Sequence, residues 1–304
     1  MQDLIIIGAS AAGMSAAIYA ARAGLDFLLI GKGDGGNTAK AGLVENYLGF
    51  PKLSGLELLG TFKKHLEEYQ VKIIQEEVQS LKKEEVGFLI KTDKQEHQAK
   101  TVLIATGANP KKINIPGEKE FFNKGISYCE TCDGPLFSGK NVAVIGSGNS
   151  AVKAALSLSK TAKEVFILSA NEELKTAKVY LDSLSETGNI KIIYQTNTFE
   201  FFGDNVLEGL RYKDLSSNED KELRINGAFI YIGLNPNSGF IDKESGILNE
   251  RNEITTDKLG KTKVPGLFAA GDVTDGPYRQ ISIAVGEGTK AALSVIEYLA
   301  KTKI

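Results

Sequence analysis

The sequence predicts an α/β fold in which one βαβ-plus-β-meander design occurs twice, with the second copy inserted into the first. Three observations carry this. Leu4–Ile7 and Val142–Ile145 are short apolar runs, and each leads directly into a glycine-rich loop and then a helical run. Apolar runs of this kind, bounded by turn residues, read as strands buried on both faces, as in a parallel sheet. The chain of 304 residues, 42% apolar and 24% charged, suits about two ordered domains and argues against disorder.

In chain order, Leu4–Ile7 is the first strand, Gly8-Ala-Ser10-Ala-Ala-Gly13 the loop and Met14–Ala23 the helix. Leu25–Ile30 is the next apolar strand, and Val71–Thr106 is rich in alternating strand patterns with polar turns. Asn109-Pro110 and Ile115-Pro116-Gly117 then punctuate the chain. The design restarts at Val142–Ile145, with Gly146-Ser-Gly148-Asn-Ser-Ala151, the helical run Val152–Lys160, the strand Val165–Leu168 and a second alternating region, Ile190–Gly233. Gly8 aligns on Gly146, Gly13 on Ala151, and Ala16-Ala17 on Ala154-Ala155. Asn235-Pro236-Asn237 closes the second copy. Phe240–Ile304 is too small for a third copy and ends in a helical pattern, Ile283–Lys303, which is expected to return to the first domain. The expected organisation is two Rossmann-like domains: residues 1–110 with 240–304, and an insert of residues 111–239. Two linkers would join them and permit rigid-body rotation.

The net charge of −2 gives no sign of nucleic-acid or membrane-surface binding. No window approaches a membrane span, and no basic segment precedes Leu4–Ile7 to make it a signal peptide. A soluble, cytoplasmic protein is expected.

The first loop has the form of a dinucleotide site. Gly8 supplies the tight turn, Gly13 lets helix and strand pack closely, and the helix N-terminus favours a pyrophosphate. Ser10 stands where a second glycine is usual, so its side chain must turn away or donate a hydrogen bond. Phe268-Ala-Ala-Gly271-Asp272 is an apolar strand ending in Gly-Asp, where the aspartate can accept from a ribityl hydroxyl and so points to FAD. An ordinary strand-end turn is the plainer account of that segment alone.

Cys129-Glu130-Thr131-Cys132-Asp133 contains the only two cysteines. A structural zinc site needs about four ligands. His65 and His97 are distant in sequence, so no metal is expected. A Cys-x-x-Cys pair beside dinucleotide loops instead points to reversible disulfide chemistry.

Taken together, these motifs, with Val44-Glu45-Asn46-Tyr-Leu-Gly-Phe-Pro51, Ala105-Thr106-Gly107-Ala108, Gly271-Asp272-Val-Thr-Asp275 and Tyr278-Arg279-Gln280, resemble the low-molecular-weight thioredoxin reductase family over nearly the whole chain. The resemblance implies a dimeric FAD disulfide reductase that acts on thioredoxin or a thioredoxin-like protein. It implies FAD contacts at Gly8, Ser10, Gly13, Asn46, Thr106, Gly107, Gly271, Asp272, Arg279 and Gln280. Gly31, after the second strand, fits the family habit of lacking the ribose-binding acid there. In such a protein Cys132 is the sulfur nearest the flavin, Cys129 attacks the partner's disulfide, Asp133 moves protons, and the domains rotate between two states.

The sequence departs from the family at the second loop. Gly146, Gly148 and Ala151 keep the form of an NAD(P)H site, and strand–helix packing alone would also favour small residues there. The family's arginines for the NADPH 2′-phosphate are replaced by Ser169-Ala170-Asn171-Glu172-Glu173-Leu174-Lys175. Losing several such contacts, each worth about 1.5–3 kcal/mol, weakens NADPH by orders of magnitude. NADH and ferredoxin are the other donors that the resemblance allows. Gly35-Gly36-Asn37-Thr38 also replaces a common Gly-Gly-Gln-Leu, which leaves the flavin contacts of 34–39 open. The flavoprotein partner of a peroxidase would usually carry an extra N-terminal domain, and this chain begins at the first strand. A small-molecule disulfide substrate and a non-catalytic flavin sensor are further readings, the last disfavoured by Cys129, Cys132 and Asp133.

Overall fold

The structure is a computed structural model that describes residues 1–33, 35–41 and 43–302. The chain forms two compact units, one of Met1–Asn109 with Asn235–Ile304 and the other of Pro110–Leu234.

The first segment runs β1 (Gln2–Ile7), α1 (Ala11–Arg22), β2 (Phe27–Gly31), α2 (Gly36–Lys40), β3 (Leu43–Val44), β4 (Leu53–Ser54), α3 (Gly55–Glu68), β5 (Ile73–Gln75), β6 (Val78–Lys83), β7 (Phe88–Thr92), β8 (Glu96–Ile104) and β9 (Ala108–Pro110). The inserted unit follows with β10 (Ile126–Ser127), α4 (Glu130–Asp133), β11 (Asn141–Ile145), α5 (Asn149–Leu158), β12 (Glu164–Leu168), α6 (Lys178–Ser185), β13 (Ile190–Ile193), β14 (Thr196–Gly203), β15 (Leu207–Asp214), β16 (Glu219–Arg224) and β17 (Gly227–Ile230). The chain returns through β18 (Leu234–Pro236), β19 (Leu267–Ala269) and α7 (Ile281–Thr302).

Both units use β1-type strands as two-sided wedges. Successive side chains of a strand point to opposite faces. Leu4 and Ile6 of β1 enter a core with α1 residues Met14, Ala16 and Ala17 and α7 residues Ala291 and Val295. Ile5 and Ile7 enter a second core with Phe88 and Ile90 of the meander. In the insert, Val142 and Val144 pack with Val152, Ala155 and Leu158 of α5, while Ala143 and Ile145 face Phe201, Leu210 and Tyr212 of the antiparallel strands.

In the first unit the sheet order is β5-β2-β1-β8-β7-β6. Long β8 serves two partners along one edge: Ala99 pairs antiparallel with Phe88, and Val102 pairs parallel with Leu267 of β19. In the insert β10-β17-β11-β12-β13 are all parallel, beside a separate antiparallel sheet β14-β15-β16. The fold is thus α/β with two Rossmann-like domains. Close packing of α7 on α1 needs Gly288, where a methyl group would strike the Ala12 carbonyl. The Ser15 and Thr289 hydroxyls meet at 2.8 Å across the same contact.

The chain crosses between units at β9 and β18, which are hydrogen-bonded to each other. Sequence reading puts the second crossing at 239/240, whereas the contact boundary falls after Leu234. Asn237 explains the difference. Its backbone N–H donates to Gly107 O at 2.9 Å, its amide donates to Thr106 O at 2.9 Å, and its carbonyl accepts from Thr106 Oγ1 at 2.8 Å. The chain has therefore rejoined the first unit before Phe240. The helix expected over Ile283–Lys303 begins two residues earlier, and Lys303 lies outside the described residues. Among the described residues no helix is long and apolar enough to cross a membrane.

Candidate active site

In open α/β sheets, ligands sit beyond the carboxyl ends of the parallel strands. The predicted residues of the first unit gather there. Gly8 follows β1 with φ +113°, and a methyl group on it would strike the Ala105 carbonyl at the end of β8. A methyl on Gly13 would strike the Gly8 carbonyl, so both glycines are sterically required. Ser10 resolves its own conflict by turning away. Its Oγ donates to Gly35 O at 2.8 Å and lies 3.1 Å from Thr38 Oγ1. It therefore makes no side-chain cap to α1, whose first turn also lacks an acid, and the helix end keeps its affinity for an anion.

Around that loop, Gly107 has φ +71° with open space where a side chain would stand. Gly271, with φ +77°, sits against Ala12 and donates its N–H to Glu287 Oε2 at 2.8 Å. Burial pushes the Asp272 carboxyl up to about 6 against the pull of Arg279, with Glu287 adding to the rise and a hydrogen bond to Asn37 opposing it. Arg279 Nη2 reaches Glu253 Oε1 at 3.0 Å and Thr274 O at 3.1 Å, but its buried Nε has no partner in the protein. Asn46 Nδ2 donates to Gln280 Oε1 at 3.1 Å. A glycine cradle, an uncapped helix end, an acid after β19 and an unsatisfied guanidinium donor form a set that fits the flavin dinucleotide expected from the sequence. Of the open segment 34–39, Asp34 lies outside the described residues, and Asn37 Nδ2 donates to Ala108 O at 2.7 Å.

In the insert, the cysteines lie just past β10, also at the carboxyl edge of a parallel sheet. Cys129 and Cys132 form a disulfide with Cα atoms 5.3 Å apart. Cys129 is the residue before α4, and its Sγ accepts from Cys132 N at 3.2 Å. Ser127, at the end of β10, organises the turn. Its Oγ donates to Asp133 Oδ2 at 2.6 Å and accepts from Cys129 N at 3.0 Å. Burial raises the Asp133 carboxyl above the ordinary aspartate range, with the Ser127 bond opposing. Asp133 is thus a half-buried carboxyl with a raised affinity for a proton, next in sequence to Cys132.

Three residues not picked out from the sequence complete this site: Ser127, Glu130 and Tyr231. Tyr231 directly follows β17. Its Oη accepts from Glu130 N at 3.0 Å and donates to the Glu130 carboxylate. Burial, then the charge of Glu130, raise its phenol well above the usual range. The Cys-x-x-Cys spacing carries no signal for a tyrosine 101 residues away.

The second glycine loop has the shape of the first, with different neighbours. Gly146 has φ +146°, and a methyl there would strike the Tyr231 carbonyl. Gly148 precedes α5 and has open space at its Cβ position, while Ala151 is fully buried. The chain after β12 ties itself to this loop. Lys175 N donates to Ser147 O at 2.8 Å, and Asn171 Nδ2 donates to Ser147 Oγ at 2.7 Å. Asn149 Oδ1 accepts from Thr176 Oγ1 at 2.8 Å and Ala177 N at 2.9 Å. Ser169 is wholly buried, its hydroxyl donating to Asn171 O at 3.2 Å, and Glu172 accepts from Gln195 at 2.8 Å. No His, Cys, Asp or Glu cluster among the described residues is arranged to hold a metal.

The family model for pyridine nucleotide-disulphide oxidoreductases matches residues 2–288. A thioredoxin reductase of Ureaplasma parvum is 45% identical over 301 residues, covering 98% of this chain and 97% of its own length. A Bacillus subtilis NADH dehydrogenase is 38% identical over 300 residues, and the match covers 98% of this chain but only 58% of that longer protein. Among solved structures, thioredoxin reductase from Streptococcus pyogenes superposes with a TM-score of 0.93 at 34% identity, covering 99% of both chains. A ferredoxin-flavin thioredoxin reductase from Clostridium acetobutylicum superposes with a TM-score of 0.54 at 30% identity, also covering 99% of both.

Proposed function

This chain belongs to the pyridine nucleotide-disulphide oxidoreductases as a thioredoxin reductase-like flavoprotein oxidoreductase, and from that premise we propose that it reduces the disulfide of thioredoxin or a thioredoxin-like protein. The observation that carries this is the Cys129–Cys132 disulfide at the carboxyl edge of the inserted sheet, with Asp133 beside it. FAD would be held by Gly8, Ser10, Gly13, Asn46, Thr106, Gly107, Gly271, Asp272, Arg279 and Gln280, and when bound it supplies a two-electron store. With the pair reduced, the Cys129 thiolate attacks one sulfur of the partner's disulfide and forms a mixed disulfide. Cys132 then attacks Cys129, the Cys129–Cys132 bond re-forms, and the partner leaves as a dithiol. Two electrons and two protons pass to the partner, with Asp133 exchanging protons with the sulfurs. Rigid-body rotation of the inserted unit about β9 and β18 would present the pair alternately to its reductant and to the partner.

On the donor side, the reading is a reductant other than NADPH, either NADH or reduced ferredoxin. Support comes from the single cation Lys175, the acids Glu172 and Glu173, and the ties that Asn171 and Lys175 make to the loop at Ser147. A homodimer formed through the first unit is part of the same proposal. Anaerobic titration of the FAD-loaded protein with NADH, NADPH and reduced ferredoxin tests the donor by loss of the flavin's visible absorbance. Rapid bleaching by NADPH overturns this donor assignment. Bleaching by ferredoxin alone makes Gly146–Ala151 a packing element only. Failure of the reduced protein to reduce thioredoxin overturns the substrate assignment.

A further inference from the structure

α4 is a single turn, Glu130–Asp133, whose residues are half-buried or exposed, none of them fully buried. Packing therefore does little to hold the cysteines at bonding distance once the disulfide opens. Two side chains rooted in the sheet do hold the turn. Ser127 binds Cys129 N and Asp133. Tyr231 binds Glu130 twice, accepting from its backbone N–H and donating to its carboxylate.

Tyr231 is firmly rooted. It follows β17, whose four residues are all buried and which lies between β10 and β11. Its N–H donates to Ile145 O at 2.8 Å, and its carbonyl lies against Gly146. One residue thus touches the glycine loop with its backbone and the cysteine turn with its side chain.

We propose that Tyr231 and Glu130 form a latch that keeps the Cys129–Cys132 turn folded in the dithiol state, which makes Tyr231 a positioning residue for the redox pair. The inference rests on the redox reading of that pair. An unlatched turn lets the two thiols drift apart. Their effective concentration then falls, and the dithiol gains over the disulfide. In the disulfide state the covalent ring keeps the turn folded, so losing the latch costs the disulfide its full stabilisation, whereas the dithiol recovers part of it by unfolding the turn.

The test is the dithiol–disulfide equilibrium of the full-length FAD-loaded protein in glutathione redox buffers at pH 6, read by thiol alkylation and mass. Tyr231→Phe removes both latch bonds and is expected to shift the equilibrium about tenfold toward dithiol, equivalent to about 30 mV. Glu130→Ala removes the carboxylate bond without touching the buried strand, and a smaller shift in the same direction is expected. Glu130→Gln keeps an acceptor for the phenol and should restore the wild-type equilibrium within about twofold. A purely structural role would alter melting temperature without this ordering. If the wild-type pair interconverts but Tyr231→Phe and Glu130→Ala leave its equilibrium within about twofold, the latch is wrong and the redox reading stands. If the wild-type pair does not interconvert, both fall together.

Discussion

At Gly13 of the first loop a methyl group would run into the Gly8 carbonyl, whereas Ala151 occupies the matching place in the second loop with its methyl fully buried. The loops differ again where the next strand ends, at Gly31 in the first unit and after Leu168 in the second. Gly31 packs against Ala9 with no room for a side chain, while Asn171 and Lys175 reach back to Ser147. The strand–glycine–helix grammar sets the shape of the turn in both units. The residues that follow the next strand decide which groups face that turn. Similar turns can thus serve different chemistry, and motif form alone does not report occupancy.

The sharpest way to break this division of labour is Cys132→Ser. It should abolish reduction of the partner while the visible flavin spectrum persists, because the residues proposed to hold the flavin lie in the other unit. Loss of the flavin in this variant would show that the roles are not so divided. Next, Gly13→Ala and Gly148→Ala probe a crowded position of the first loop and an open position of the second. Gly13→Ala forces a clash and should cost about 1–3 kcal/mol together with FAD retention. Gly148→Ala places its methyl in open space and should stay within about 0.5 kcal/mol by thermal melting. Equal penalties would mean that the position at Gly148 is as confined as that at Gly13.

Ala170→Arg combined with Asn171→Arg asks whether the second loop accepts a nucleotide. One restored charge-assisted contact is worth about 1.5 kcal/mol or more, so NADPH-driven reduction should rise at least about tenfold. No gain with NADPH would point to a loop that binds no nucleotide.

Two pH effects are smaller. Asp133 sits above the usual aspartate range, so it is protonated and unable to accept a proton until the pH passes that raised value. The rate of disulfide reduction should show an acid limb there, and Asp133→Asn should lose that limb. In the first unit, burial pushes Glu76 up, but hydrogen bonds from His97, Thr92 and Gln95 outweigh it and hold the carboxyl at about 2. A lowered carboxylate stabilises the fold above its unfolded value and loses that contribution as the pH falls toward 2. Glu76→Gln should flatten this acid limb of a melting-temperature profile and leave activity at neutral pH unchanged.

What was legible in the sequence is what local chemistry dictates. The apolar runs at Leu4–Ile7 and Val142–Ile145 became central strands, both glycine loops formed the turns read from them, and the terminal helix runs Ile281–Thr302. Ser10 posed a steric question that the sequence could frame but not answer, because Gly35 and Thr38 approach it only in three dimensions. Glu130 carries no signal in the sequence beyond its place between two cysteines, because its partner Tyr231 meets it only in the fold. Likewise, His97, which the sequence shows only as far from the cysteines, pairs with Glu76. Partners set by strand register have no sequence period, so pattern reading passes over them.

The paired crossings have a consequence for how the protein can be taken apart. Adjacent strands lie about 4.8 Å apart, so the chain comes back to the first unit almost where it left. The inserted unit is in this sense a detour whose two ends share a doorway. A short peptide from Asn109 to Asn235 could close the first unit over the missing insert, and Pro110–Leu234 carries its own parallel sheet and two apolar cores. The molecule is arranged so that a flavoprotein without its disulfide, and a disulfide without its flavoprotein, are each a single continuous splice away.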